Sequence, residues 1–450
     1  MPEKVRVRFA PSPTGYLHIG NARAAMYDFL YARATGGDFI LRIEDTDRNR
    51  LVPDAVEVMM ESLRWLGIDW DEGPDKGGPY GPYVQSQRLD LYMKHANQLI
   101  EEGKAYKCFC TPERLEKLRK EQETAKQTLG YDRKCLSLSA AEREELERKG
   151  TPFVIRFKMP QSGTTIYRDL LRGELSVENS TLDDIVLIKS DGYPTYHLAS
   201  IVDDHYMKIT HVLRGVEWIP STPRHVLIYQ AFGWEPPVFC HLPLILSPTG
   251  GKLSKREGAT TVLEYRDKGY LPEAVFNFLL LLGWNLDDTT EVFDNRDELY
   301  KVFDIKRINV SPAAFAPAKL DWFNGIYIRK LSVEDLAGRC LPFLQKAGLV
   351  SDPVKEDEFK YFLRILPLVQ ERLKLLTEIP DLVGYFLKED IEIENPDDLI
   401  PKHTDKAVIM EVLQKAYAKL EALSDFSESS LESSLRGLSE EMGLKTGQVF

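Results

Sequence analysis

The chain of 450 residues has no long hydrophobic run. Its longest apolar stretch, over 275–284, is interrupted by Asn277 and is far shorter than the roughly 20 residues with which a helix crosses a bilayer. The charged residues at the N-terminus are not followed by the apolar core of a secretory signal. The sequence therefore predicts a cytoplasmic protein that does not act at a membrane.

Cysteine is also scarce. The sequence has five cysteines, an odd number, and Cys108 and Cys110 are separated by only one residue. A small secreted domain held together by disulfides would carry an even and denser set. The cysteines therefore indicate reduced thiols or a metal site, which fits the cytoplasmic prediction.

Positive charge is in deficit, because 58 Lys and Arg stand against 70 Asp and Glu and the net charge is −12. This balance argues only weakly against a nucleic-acid partner, since binding depends on local basic patches and not on the total. Internal repeats and low-complexity segments are absent from the sequence. The chain is too long for one hydrophobic core, so we expect about two to four domains.

The N-terminal region predicts a strand, a turn and a helix. Apolar residues alternate over 5–9, Pro and Gly interrupt the pattern over 11–15, and apolar residues then recur at helical spacing over 22–30. A helix N-terminus carries unpaired N–H groups and partial positive charge, so a turn leading into it can bind a phosphate. His18 and Gly20 lie at this position.

A second strand, predicted over 39–43, ends in the acidic cluster 44–47 and completes a βαβ unit. Functional residues are expected beyond the carboxyl ends of such parallel strands. Helices are predicted over 53–67 and 86–103. The segment 91–194 lacks a regular βα alternation, although it predicts helices after Thr111 and Ser139 and a strand over 154–159, and we interpret it as an insertion.

Sheet-like sequence resumes near the end of this segment, over 184–189, and continues over 197–202 and 209–214, and a helix follows over 221–233. The stretch 246–258 combines small residues with two lysines, as suits a mobile anion-binding loop. Beyond it the sequence predicts helices over 261–268 and 272–282, and from Ser332 onward a separate all-α region.

Two short motifs, His18–Asn21 and Lys252–Arg256, resemble the signature motifs of class I aminoacyl-tRNA synthetases. The longer segments 8–15 and 42–47 resemble the bacterial glutamyl-tRNA synthetase family in particular. Two further segments, 193–197 and 319–325, match as well, so the resemblance covers essentially the whole chain.

The resemblance implies an α/β fold with a class I Rossmann-type catalytic domain over 1–90 and 195–245. An α/β acceptor-binding domain would be inserted over 91–194, and the lysine loop and a stem-contact domain would occupy 246–330. Two all-α anticodon-binding domains would follow over 331–390 and 391–450. We expect the last of these to be incomplete by about one helix pair, and we expect a monomer.

The implied reaction consumes ATP, with Mg²⁺ as a cofactor, and joins L-glutamate to tRNA through a glutamyl-adenylate. The glutamate carboxylate is already ionised, so the reaction needs hydrogen-bond donors and cations for the phosphates more than it needs a base. His18, Lys252 and Lys255 would supply them as catalytic residues. The implied ATP-binding residues are His18, Gly20, Asn21, Lys252, Ser254 and Lys255.

Glutamate selection should depend on arginine, because a guanidinium meets a carboxylate with two parallel hydrogen bonds. By resemblance, Arg8 and Arg214 would bind the side-chain carboxylate with support from Tyr196. Glu44 would bind the α-ammonium group, and Ala10 and Ser12 would line the pocket. Without the resemblance, each of these residues would have an ordinary structural explanation.

Some relatives hold zinc in the inserted domain, and here the corresponding ligands would be Cys108, Cys110, Tyr131 and Cys135. Ser137 stands where zinc-binding relatives often have histidine, so the fourth ligand is Tyr131 or water, and cysteines without a metal are the alternative. Arg372 lies about where some relatives discriminate the glutamate anticodon from the glutamine anticodon, although an isolated surface arginine is the competing interpretation.

Three other functions compete. A tRNA base-modifying relative that attaches glutamate to queuosine would lack the helical tail, and a small-substrate nucleotidyltransferase would need neither Arg8 nor Glu44. A non-catalytic tRNA-binding paralogue would lose His18 or the two lysines. Whether glutamine tRNA is also charged, and whether activation requires tRNA, stays open at the level of sequence.

Overall fold

The predicted βαβ unit is present in the computed structural model, which describes residues 4–251, 253, 261–388, 393, 395–401 and 404–449. Strand β1 (Arg6–Phe9) leads through α1 (Ile19–Thr35) to β2 (Asp38–Leu41), and the two strands pair in parallel. A Cβ atom at Gly37 would lie 2.4 Å from the Val5 carbonyl oxygen, so only glycine allows this close return to the sheet.

The sheet continues on the other side of β1. Strand β8 (His211–Gly215) lies beside β1, where the Thr210 N–H donates to the Arg6 carbonyl over 2.9 Å. Strand β9 (Val238–Leu242) pairs with β8 in parallel, and the hairpin of β5 (Thr164–Asp169) and β6 (Gly173–Glu178) adds to β9. The hairpin therefore reaches this sheet from the segment 91–194.

The prediction of a strand over 197–202 is wrong, because this segment belongs to helix α6 (Tyr196–Tyr206). Every residue from Leu198 to Asp204 is buried, so this part of the helix lacks the one-sided pattern that distinguishes a surface helix from a buried strand. The helical conformation places two consecutive aspartates, Asp203 and Asp204, in the interior of the catalytic region.

A second, antiparallel sheet is formed by β3 (Ala105–Cys108), β4 (Val154–Phe157) and β7 (Val186–Ile188). Its apolar side chains share a core with α3 (Leu89–Glu101), α6 and α7 (Thr222–Phe232). The charged helices α4 (Pro112–Thr124) and α5 (Ala140–Arg148) begin at Thr111 and Ser139, whose side chains cap them as the sequence predicts. Strand β4 confirms the strand predicted over 154–159.

Most of the remaining elements are helices. After Ser332 the elements that the structure describes are all helical, as predicted. The remaining elements are α2 (Ala55–Trp65), β10 (Ile245–Leu246), α8 (Val262–Asp267), α9 (Pro272–Leu281), α10 (Arg296–Val302), β11 (Ala313–Ala314), α11 (Pro317–Lys330), α12 (Val333–Lys346), α13 (Glu356–Ile365), α14 (Pro367–Gln370), α15 (Ile379–Leu387), α16 (Lys406–Glu421) and α17 (Glu428–Glu441).

The chain forms two compact units, residues 1–382 and 383–450. In the second unit α16 packs against α17, with Ile409, Val412 and Leu438 buried. Within the described part of the chain, no helix combines the length and apolar character that a membrane span requires.

Candidate active site

A cavity of about 750 Å³ opens where β1 and β8 end. The side chains predicted to bind glutamate all line it, namely Arg8, Ala10, Ser12, Glu44, Tyr196 and Arg214. Asn21, one of the residues predicted to bind ATP, also lines it. Adjacent parallel strands end at the same edge of a sheet, which is why residues some 200 positions apart meet here.

Arg8 lies in a buried ionic network at the floor of the cavity. Its Nε donates to Asp204 Oδ1 over 3.1 Å, and Arg42 Nη1 donates to the same oxygen over 2.7 Å. Arg42 Nη2 donates to Glu44 Oε1 over 3.0 Å. The positive charges of Arg8 and Arg42 are therefore compensated by protein carboxylates.

Glu44 is the carboxylate of this network that faces the cavity. Burial raises its pKa to about 7, although Arg42 and Arg8 act in the opposite direction. Arg42 and Asp204 were not predicted as site residues. The available signal for Arg42 was its position two residues before Glu44, inside the segment 42–47 that carries the resemblance, whereas Asp204 depends on the helix that the sequence did not reveal.

Asp203 anchors the other side of α6. Its carboxylate accepts hydrogen bonds from Arg88 Nε over 2.7 Å, from Gln85 Nε2 over 2.9 Å and from the Tyr92 hydroxyl over 2.8 Å. These partners lie on α3 and on the short turn before it. The two aspartates thus join α3 and β1 through α6 and fix the position of Arg8.

Arg214 is buried on the opposite wall of the cavity and has a different environment. Its Nη1 donates to the Tyr196 hydroxyl over 3.1 Å and its Nη2 to Thr222 Oγ1 over 2.7 Å. The Tyr196 ring packs against Trp218 with the ring centroids 4.4 Å apart. Arg214 makes no ion pair with any described residue, so its charge is not compensated within that part of the chain.

His18 is the N-cap of α1 and is exposed beside the cavity. A Cβ atom at Gly20 would lie 3.3 Å from the His18 ring, so glycine lets the ring lie close over the first turn. The Leu17 carbonyl accepts a hydrogen bond from the Val262 N–H over 2.9 Å, which joins this turn to the start of α8. The predicted residues Lys252, Ser254 and Lys255 lie outside the described residues.

The three predicted cysteine ligands lie together between β3 and β4. The Sγ atoms of Cys108, Cys110 and Cys135 are all within 4.8 Å of one another, and the Tyr131 hydroxyl oxygen lies 3.3 Å from Cys108 Sγ and 3.4 Å from Cys110 Sγ. Tetrahedral zinc binds each thiolate at about 2.3 Å, so thiol groups that lie this close together can share one ion. The donor set therefore fits zinc.

The electrostatics of this cluster favour thiolate at Cys108, whereas burial raises the pKa of Cys110 to about 11 and also raises the pKa of Tyr131. Burial raises the pKa of Cys108, but hydrogen bonds from Tyr131 and the Cys110 backbone, together with Arg156, outweigh burial and lower it. Ser137 is exposed and donates to the Lys134 carbonyl over 2.7 Å, so its hydroxyl does not take part in the cluster.

Arg372 is exposed just after α14. Its anticodon role stays a prediction.

Comparison of the chain with known protein families shows which class of protein it belongs to. Residues 4–322 match the family described as "tRNA synthetases class I (E and Q), catalytic domain", and residues 335–450 match "Anticodon binding domain". The chain therefore belongs to the class I tRNA synthetases of the glutamate and glutamine type.

The relatives narrow the comparison to one kind of enzyme. The chain is 51% identical over 450 residues to the glutamate–tRNA ligase of Dehalococcoides mccartyi, which covers 100% of this chain and 91% of that protein. The ligase of Chloroflexus aurantiacus is 51% identical over 460 residues, with 99% and 90% covered. A crystal structure of the glutamate tRNA ligase from Elizabethkingia meningosepticum with its amino acid superposes with a TM-score of 0.87 at 40% identity, covering 99% of this chain and 92% of that one.

Proposed function

We propose that this chain is a glutamate–tRNA ligase, which activates L-glutamate with ATP and transfers it to the terminal adenosine of glutamate tRNA. The observation that carries the proposal is the cavity, where two buried arginines and one buried carboxylate meet beside the N-terminus of α1. This arrangement matches a ligand that carries two carboxylates and one ammonium group. The anticodon-binding match over 335–450 favours this function over the base-modifying alternative, which lacks such a domain.

The amino acid is held by opposite charges on the two walls. Arg214, whose charge has no carboxylate partner among the described residues, binds the side-chain carboxylate together with Arg8, and Tyr196 supports Arg214. Glu44 binds the α-ammonium group from the other side of the cavity. Ala10 and Ser12 leave room for the ligand between these groups.

The nucleotide binds at the first turn of α1. The positive end of the helix dipole and the His18 side chain favour phosphate there, and Gly20 and Asn21 lie in the same turn. Lys252, Ser254 and Lys255 complete the phosphate site in this proposal, and Mg²⁺ accompanies the phosphates of ATP.

The reaction proceeds in two transfers. A carboxylate oxygen of glutamate attacks the α-phosphorus, the bond to the β-phosphate oxygen breaks, and pyrophosphate leaves. A ribose hydroxyl of the tRNA terminus then takes the glutamyl group, loses its proton, and releases AMP. Because the cavity fixes the carboxylate and the turn fixes the phosphate, most of the barrier is lowered by positioning and charge stabilisation.

Radiolabelled glutamate, ATP and pure tRNAs test this function. We expect glutamate tRNA to be charged, and we expect His18→Ala to slow ATP–pyrophosphate exchange by about 10²–10³-fold at unchanged melting temperature. Failure of the wild-type chain to charge glutamate tRNA would contradict the proposal. Charging of glutamine tRNA in a parallel reaction would retain the enzyme class and make the enzyme non-discriminating.

We also propose that Cys108, Cys110, Cys135 and Tyr131 bind a structural zinc ion, which would tie β3 to the loop that carries Tyr131. Metal analysis of protein purified without chelator should find about one zinc per chain, and Cys135→Ser should lose most of it. Zinc-free wild-type protein would contradict this site.

The predicted division of the chain into domains, with the anticodon-binding part over 331–450, belongs to the same proposal, as does a cytoplasmic location, where the enzyme would meet tRNA and ATP. Arg372 is proposed to read the anticodon. Replacing Arg372 by Gln and charging both tRNAs checks this role, because an unchanged preference would remove it.

A further inference from the structure

Arg214 and His241 are register partners on the parallel strands β8 and β9. Arg214 Nε lies 3.2 Å from His241 Nε2. An arginine can only donate, so His241 Nε2 must accept, and the ring carries its proton on Nδ1. One particular tautomer of a fully buried histidine is therefore required to hold Arg214.

Asp169 fixes that tautomer. Its Oδ2 accepts from His241 Nδ1 over 2.7 Å and from the His241 backbone N–H over 3.0 Å. Its Oδ1 accepts from the backbone N–H groups of Leu171 and Arg172, both over 3.0 Å. The carboxylate is thus bound on both oxygens and cannot turn away from His241.

A second histidine repeats the arrangement at the other end of the guanidinium. Arg214 Nη1 donates to His225 Nδ1 over 3.2 Å, so His225 carries its proton on Nε2 and donates to His197 Nδ1 over 2.9 Å. Burial, with the neighbouring Arg214, lowers the pKa of His225, and it stays neutral. Both imidazoles therefore orient Arg214 without neutralising its charge.

We propose that His241, held by Asp169, and His225, held by His197, are positioning residues that aim the Arg214 guanidinium at the substrate's side-chain carboxylate. This inference rests on the proposed glutamate-binding role of Arg214. A carboxylate in place of either imidazole would compete with the substrate for Arg214. An imidazole accepts a hydrogen bond as a carboxylate does, yet leaves the positive charge available.

The test compares variants that keep or remove the side-chain atom that accepts a hydrogen bond from Arg214. We expect His241→Phe and His225→Phe to raise the KM for glutamate by about 10- to 100-fold, with the KM for ATP changed less than about twofold. His241→Gln and His225→Asn place an amide oxygen near the lost acceptor nitrogen and should recover most of the affinity. His95→Phe is the matched control, because His95 is buried but bonds to Gln98 and Tyr206 and not to Arg214.

Arg214→Ala, measured in parallel, distinguishes the glutamate-binding role of Arg214 from the positioning role of the two histidines. If Arg214→Ala leaves the glutamate KM unchanged, the glutamate-binding role itself is wrong. If Arg214→Ala raises it and the two Phe variants do not, or if Gln and Asn do no better than Phe, the positioning role alone is wrong. Should a Phe variant fail to fold, the Gln and Asn variants decide, since near-normal glutamate KM supports the role and a rise like that of Arg214→Ala overturns it.

Discussion

The two walls of the cavity hold their arginines by opposite means. On the β1 wall, Arg8 and Arg42 share Asp204, so positive charge is offset by a buried carboxylate. On the β8 wall, Arg214 contacts two imidazoles and two hydroxyl groups, all of them neutral. Arg8 and Arg214 are both almost fully buried, so the walls differ in whether the arginine charge is compensated and not in how exposed the arginine is.

The difference indicates that Arg8 and Arg42 belong to a network that stabilises the fold, whereas Arg214 is placed to recognise a ligand. A buried charge without a counter-ion is costly, and the cost is recovered when a carboxylate ligand arrives. The compensated wall should therefore contribute to folding and to the shape of the cavity as well as to glutamate binding through Arg8. The uncompensated wall should contribute mainly to selecting an acidic side chain.

The largest effect on stability is expected when the carboxylate that Arg8 and Arg42 share is removed. Asp204→Asn would leave Arg8 and Arg42 without their shared carboxylate, and we expect the free energy of unfolding to fall by about 3–5 kcal/mol. Urea denaturation of the full chain measures this loss. Glu356→Gln removes one partner of an exposed ion pair with Lys360 and is the control, with an expected change below about 0.5 kcal/mol. Equal losses in the two variants would refute the distinction.

Arg8→Ala should affect substrate binding more selectively. We expect the glutamate KM to rise by about 10²-fold and the ATP KM to change little, because Arg8 lines the cavity from β1 and is not among the residues proposed to bind the phosphates. Steady-state kinetics with each substrate varied in turn measures both values. Arg33→Ala, on the outer face of α1, is the control. Equal effects of Arg8→Ala on both substrates would count against its role.

A smaller effect is expected from pH. The pKa of Glu44 is raised to about 7 by burial, so its carboxylate is ionised above pH 7 and takes up a proton as the pH falls. Its attraction for the α-ammonium group is lost in the same direction, and we expect the glutamate KM to rise by about 10-fold between pH 8 and pH 6.

Glu44→Gln supplies the control for this pH effect. The variant should have a high glutamate KM that no longer changes between pH 8 and pH 6. A glutamate KM that rises on acidification as steeply as in the wild type would assign the titration to another group.

Much of this site could be predicted from the sequence. Short-range patterns in the sequence predict the first strand, the turn with Pro and Gly, and the helix over 22–30. The structure confirms them as β1, the turn and α1. The residues predicted to bind glutamate followed from the resemblance to a known family. They converge because parallel strands bring their carboxyl ends together, which is a rule of the fold class.

The groups that hold these residues could not be predicted. Asp204 required recognising α6, whose residues 198–204 are all buried, so no solvent-facing polar side reveals the helix there. Asp169 lies in the segment interpreted as an insertion and reaches His241 only because β5 pairs in parallel with β9. Such contacts depend on tertiary pairing across some 70 residues, for which the local sequence carries no signal.

The most direct test of the account is the ratio of kcat/KM for L-glutamate to that for L-glutamine in charging pure glutamate tRNA, measured for the wild type and for Arg214→Gln. An uncompensated Arg214 predicts a wild-type ratio on the order of 10⁴ or more, which falls by at least about 10²-fold in the variant. A ratio that is unchanged in Arg214→Gln would contradict the claim that this arginine reads the acidic side chain.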